Sequence, residues 1–142
     1  MEREREMVRV LWVSRHKPLR AQLRELRRLF GDIELIIHES TVPNAEHVIS
    51  EAKRHNAKVI VPVLPLSIIA RLVEIARKED IVVLFAKMEA IATTKRMEEA
   101  EKILKEAEDR RNITTYADNT IRVFEFKQFE KILKVELVTE PL

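Results

Sequence analysis

Four nearly unbroken apolar runs, rich in β-branched residues, mark the first 88 positions of the chain, at 8–13, 33–37, 59–64 and 81–86. Runs without polar alternation are the pattern of strands buried on both faces. Between them the period changes to that of a helix. Leu19, Leu23, Leu26 and Phe30 share one face, with Arg20, Arg24, Arg27 and Arg28 largely opposite. Ala45, Val48, Ile49 and Ala52 form a second apolar face, and Leu66, Ile69, Leu72, Val73 and Ala76 a third. Strand starts recur every 22 to 26 residues, a spacing that fits βαβ crossovers. The expected fold is therefore α/β: a Rossmann-like three-layer βαβαβαβ over 7–88, with a parallel core in the order 2-1-3-4.

Local signals agree with these boundaries. Gly31 and Asn56 follow the first and second helices, where a left-handed residue ends a helix well. Pro18, Pro43 and Pro65 stand near the three helix starts, where a missing N–H costs little. Pro62 conflicts with a central strand, so strand three is expected to end at Val61 or to carry a bulge.

The C-terminal third has a different pattern. Residues 94–111 are dense in charge, with Met97, Ala100, Ile103, Leu104 and Ala107 in a narrow stripe, and read as a charged surface helix. Partial alternation over 120–126 and 132–138 predicts an antiparallel, half-exposed β-hairpin spanning 120–139 and added to the sheet edge. Asp118-Asn119 marks a turn before it. All of this reads as a single domain, 1–142, with residues 1–6 a flexible, solvated leader.

Composition narrows the chemistry. Gly31 is the only glycine, which excludes every site built on a glycine-rich loop, and the absence of cysteine excludes disulfides, thiolate metal sites and thiol catalysis. Charged residues make up 35% of the 142 positions yet leave a net charge of only +2, which does not mark an obligate nucleic-acid binder. Many charges of both signs with one glycine fit a thermophilic source. The charged N-terminal leader has no apolar segment of a signal peptide behind it, and the longest apolar run, 59–70, is too short to span a membrane, so a cytoplasmic protein without a membrane partner is expected.

Candidate chemistry gathers at the carboxyl ends of the strands, where open α/β sheets bind ligands at the reversal of strand order. Ser14-Arg15-His16-Lys17 follows strand one, His38-Glu39-Ser40 strand two, Ser67 strand three and Lys87 strand four. The expected ligand-binding set is Ser14, Arg15, His16, Lys17, Ser67 and Lys87, gripping a nucleotide or other anion. With prolines at the helix starts and no glycine there, side chains rather than backbone N–H groups would hold it. No cofactor and no metal site is expected. His47, Glu51 and His55 share a helix face, but the two histidines lie about 12 Å apart by helix rise.

Between 15 and 28, six Lys or Arg stand against one Glu, with no aromatic residue to stack bases, so this helix face reads as solvated. Trp12 and Met88 read as core. Phe124, Phe126 and Phe129 on the expected hairpin suggest self-association, so a homodimer is the expected assembly.

Val13-Ser14-Arg15-His16 after a first strand is similar to the start of the histidine phosphatase family. That resemblance implies that His16 takes up a phosphoryl group. It departs from the family at Lys17, where the family has glycine, and no downstream segment matches its other arginine and histidine motifs. At the level of fold alone the chain resembles CARF-type nucleotide sensors. The expected function is a small binding or sensor module rather than an enzyme. The alternatives are a protein–protein interaction module without a small-molecule site, and a phosphoryl-transfer or phosphodiester-cleaving enzyme using His16, with His16 or His38 as general base.

Overall fold

The apolar runs become strands β1 (Val8–Val13), β2 (Ile33–His38), β3 (Val59–Pro62) and the start of β4 (Val82–Thr94) in the computed structural model, which describes residues 7–142. The expected leader, 1–6, lies outside the described residues. The helical periods become α1 (Arg20–Phe30), α2 (Ala45–Arg54) and α3 (Leu66–Lys78). After β4 come α4 (Met97–Glu106), β5 (Arg111–Thr115) and β6 (Ile121–Lys131). The six-stranded sheet has the order β2-β1-β3-β4-β6-β5, so the expected 2-1-3-4 order is present within it. Pairings β1–β2, β1–β3 and β3–β4 are parallel while β5–β6 is antiparallel, which makes the sheet mixed.

The chain divides into two compact units. The first holds the residues up to 17, 30–85 and 130–142. Its core is built by α2 and α3 on one face of the sheet. Leu11 and Val13 of β1, Ile60 of β3 and Val83 of β4 pack with Val48, Ala52, Leu72 and Ala76. Val10, Trp12, Val59 and Val61 on the opposite face are equally buried, which is why β1 and β3 carry no polar alternation. Gly31 and Asn56 have φ of +78° and +58°, the left-handed geometry expected of them.

Pro62 is accommodated without a bulge, as the last residue of β3, opposite Val13. Val63 N–H donates to the Val13 oxygen and Val82 N–H to the Lys58 oxygen. Strand alternation then turns the Pro62 nitrogen toward β4, past the last β3–β4 pair, Ile60 with Val83. The missing donor falls where no acceptor is paired.

The second unit holds 18–29 and 86–129. Here the structure corrects four expectations. Strand four does not end at Ala86 but continues to Thr94. From Ala86 onward, half-buried Ala86, Met88, Ala92 and Thr94 alternate with exposed Lys87, Glu89, Ile91 and Thr93, the period of a strand covered on one face. The charged helix is shorter than 94–111, because Arg111 starts a strand rather than ending a helix. The hairpin is β5–β6, closed by the Tyr116–Thr120 turn with Asn119 at φ +68°, and not a pairing of 120–126 with 132–138. Residues 127–131 continue β6 instead of turning, and 132–138 belong to no strand. Phe126, expected on a half-exposed surface, is buried and packs against Phe129 with ring centroids 5.0 Å apart.

Arg111 ties three elements of this unit. Its Nε donates to Glu125 Oε1 on β6 at 3.1 Å, and its Nη1 to the Ile103 carbonyl of α4 at 2.6 Å. Ala100, Ile121 and Val123 form the small core beneath. On α1, buried Gln22 accepts the Leu19 N–H and donates to Met88 Sδ, while Ala21 N–H donates to the Asp109 carbonyl and Arg24 pairs with the Asp109 carboxylate.

Two outcomes test this account. A Cβ on Gly31 meets no atom within 4 Å, so Gly31→Ala should cost only the left-handed backbone penalty, about 1–2 kcal/mol in urea denaturation; no loss at all would contradict the assigned conformation. The Glu125 carboxyl is held below its ordinary value by the Lys127 hydrogen bond first and then by Arg111. A lowered folded pKa contributes stability that is present above the ordinary value and lost as pH falls through the folded one. Glu125→Gln should therefore flatten the loss of melting temperature between roughly pH 5 and pH 2, and an unchanged acid limb would remove the Glu125 contribution.

Candidate functional site

β1 leaves the sheet between β2 and β3, and the three strands end side by side: Val13 is opposite both His38 and Pro62. The loops that follow enclose a cleft of about 400 Å3, wholly within the first unit. Its floor is apolar, made by Val13, Val42, Val63, Leu64, Pro65 and Ile68. Its rim is polar, made by Ser14, Arg15 and His16 from the β1 end and by His38, Glu39, Ser40 and Thr41 from the β2 end.

The β1 loop is held by its own side chains. Ser14 is buried, and its Oγ accepts the His16 N–H at 3.1 Å. The indole Nε1 of buried Trp12 donates to the His16 carbonyl at 2.9 Å. Both polar groups of the His16 main chain are thus engaged by residues of the β1 segment, while its imidazole stands exposed at the cleft. Arg15 Nη2 reaches Thr41 Oγ1 at 3.5 Å, linking the two sides of the rim. Across the rim, the His38 and His47 rings lie 5.7 Å apart at 56°, and His38 Nε2 is buried with no hydrogen-bond partner among the described residues.

The electrostatics are sparse. Arg15 is the one Lys or Arg of the lining, and Glu39 its one carboxylate. Neither takes part in an ion pair among the described residues.

Of the residues expected from sequence, Ser14, Arg15 and His16 line the cleft. Lys17 is exposed and outside the lining, and Ser67 is exposed on the first turn of α3, where its neighbour Ile68 takes the lining position. Lys87 is not a strand-end residue at all; it sits exposed in the middle of β4. Pro18, Pro43 and Pro65 stand one or two residues before the three helices, as expected. α2 is capped by Asn44, whose Oδ1 accepts the His47 N–H at 2.8 Å, and α3 begins after Pro65 in the N-cap position with no side-chain cap. The β2 side of the rim was not in the expected set. Its signal was the six-residue loop 39–44, where apolar Val42 lies among polar neighbours and turns into the core.

Among the described residues, no three His, Asp or Glu side chains converge as a metal site requires, and no helix is long and apolar enough to cross a membrane. The chain matches no protein-family model, no curated protein and no solved structure.

The engagement of the His16 main chain is directly testable. Ser14→Ala removes one hydrogen bond, worth about 1 kcal/mol, so hydrogen exchange of the His16 amide should quicken by roughly fivefold. Unchanged exchange would mean that Ser14 does not hold the loop.

Proposed function

We propose that the cleft at the ends of β1, β2 and β3 binds a small ligand with an anionic group and an apolar body, of nucleoside monophosphate size. The observation that carries this reading is Arg15, which has no ion-pair partner among the described residues and lines a cleft whose other lining residues are largely apolar or neutral. A volume of about 400 Å3 lies in the ordinary range for small-molecule sites, and an apolar floor with few polar rim groups is their usual composition. A lining with one guanidinium favours a single phosphate group over a polyphosphate, which needs several cations or a backbone cradle. The protein in this reading is a binding or sensor module, and Lys17, Ser67 and Lys87 take no part in the grip.

Thermal unfolding with a panel of adenosine monophosphate, adenosine triphosphate and cyclic oligonucleotides tests it. A monophosphate at a hundredfold excess over its Kd should stabilise the protein by about 2.7 kcal/mol. Arg15→Ala should abolish the shift, while Lys17→Ala and Lys87→Ala should leave it intact. No shift from any member, or a shift that survives Arg15→Ala, would contradict the assignment.

A second reading is favoured by the two imidazoles, His16 and His38, on one rim. They are the residue type for general acid–base cleavage of a phosphodiester. Turnover of phosphate esters or cyclic oligonucleotides, lost in His16→Ala, would establish that reading, and its absence in the unaltered protein would remove it.

A further inference from the structure

The segment Ile132-Leu-Lys-Val-Glu-Leu-Val138 has the alternation of a strand but no strand partner among the described residues. Its first residue is anchored: Ile132 N–H donates to the Val83 carbonyl at 2.9 Å, and its side chain packs on the core of the first unit. Arg77 donates to the next carbonyl, that of Leu133. Beyond this point the apolar side chains are exposed, Leu133 by 67%, Val135 by 38%, Leu137 by 88% and Val138 by 86%. Exposed apolar groups at this density, on backbone free to pair, are an adhesive edge.

The sequence names the partner, because it is complementary to itself. In antiparallel pairing of two copies about Val135, Leu133 faces Leu137, Lys134 faces Glu136 and Ile132 faces Val138, each twice by symmetry. Leu133, Val135 and Leu137 of both copies then share one wholly apolar face. On the other face each Lys134 ammonium lies opposite a Glu136 carboxylate. The two side chains already stand on one side of the segment, with Lys134 Nζ 3.1 Å from Glu136 Oε2 within a single chain. Shifting the register by two residues in one direction sets Lys134 against Lys134, and in the other Glu136 against Glu136. In-register parallel pairing makes both like-charge contacts. Like charges directly opposite are destabilising, so the charges select one register.

We propose that residues 132–138 are a self-pairing strand that joins two copies of this chain in an antiparallel, twofold-symmetric dimer centred on Val135. The interface is isologous, as a twofold dimer requires. It is independent of the cleft and of what the cleft binds. It also moves self-association away from the aromatic residues of β6, of which Phe126 is buried.

Light scattering coupled to size-exclusion chromatography of the full chain should give twice the 16.7 kDa of one copy. Lys134→Glu places Glu against Glu at both charge pairs, and Glu136→Lys places Lys against Lys, so each variant alone should run as a monomer with an unchanged melting profile. Mixed together, the two variants should form a one-to-one heterodimer, because every charge then meets its opposite. Since the chain has no cysteine, Val135→Cys reports the centre of symmetry. It should oxidise to a covalent dimer, and Leu137→Cys, which lies opposite Leu133 rather than itself, should not. A monomeric unaltered protein, dimers that survive both charge substitutions, a mixture that stays monomeric, or equal cross-linking at 135 and 137 would each overturn the proposal.

Discussion

The parallel pairing of β1 with both β2 and β3 is the constraint on which the candidate site depends. Once Val13 is in register with His38 on one side and Pro62 on the other, three strands must end at one level. The chain leaves all three strands at that level, and the loops that follow them line the cleft. Its apolar lining joins Val13 at the end of β1 to Val42, Val63, Leu64 and Pro65 of the loops and Ile68 of α3, and its polar lining comes from the β1 and β2 ends.

Within this frame, small interactions decide what the rim presents. Ser14 and Trp12 take up the main-chain groups of His16, so the imidazole is displayed from a backbone with little freedom left. Pro62 ends β3 with its nitrogen facing a position that β4 does not pair, which lets a donor-free residue finish a central strand. The solitary glycine, Gly31, closes α1 and lies outside the lining of the cleft. The polar and charged side chains of the lining include one guanidinium, one carboxylate and two imidazoles.

The first half of the fold was legible because its signals were redundant. β1 to β3 are apolar runs, α1 to α3 are clear helical periods, and Gly31 and Asn56 carry the positive φ expected at helix ends. The second half was less legible because its strands are covered on one side only. Arg111–Thr115 contains a single large apolar residue, Ile113, and its place is fixed by pairing with β6 and by the Arg111 contacts rather than by its own pattern. The segment 132–138 misled in the opposite way: its pattern is that of a strand, yet it pairs with no strand among the described residues. At the site, Ser14, Arg15 and His16 could be read from their position after β1. His38, Glu39 and Ser40 were read as strand-end residues but left out of the ligand-binding set, Thr41 was not singled out, and Lys87 was included because β4 was cut short at Ala86.

The most direct test of the central claim is a residue-resolved NMR titration of the full chain with adenosine monophosphate. Binding in the cleft predicts saturable amide shifts confined to the three loops, at 14–16, 38–42 and 63–65, together with a shift of the Arg15 guanidinium resonance. Shifts concentrated instead on the exposed arginines of α1, or no saturable shift anywhere, would contradict it.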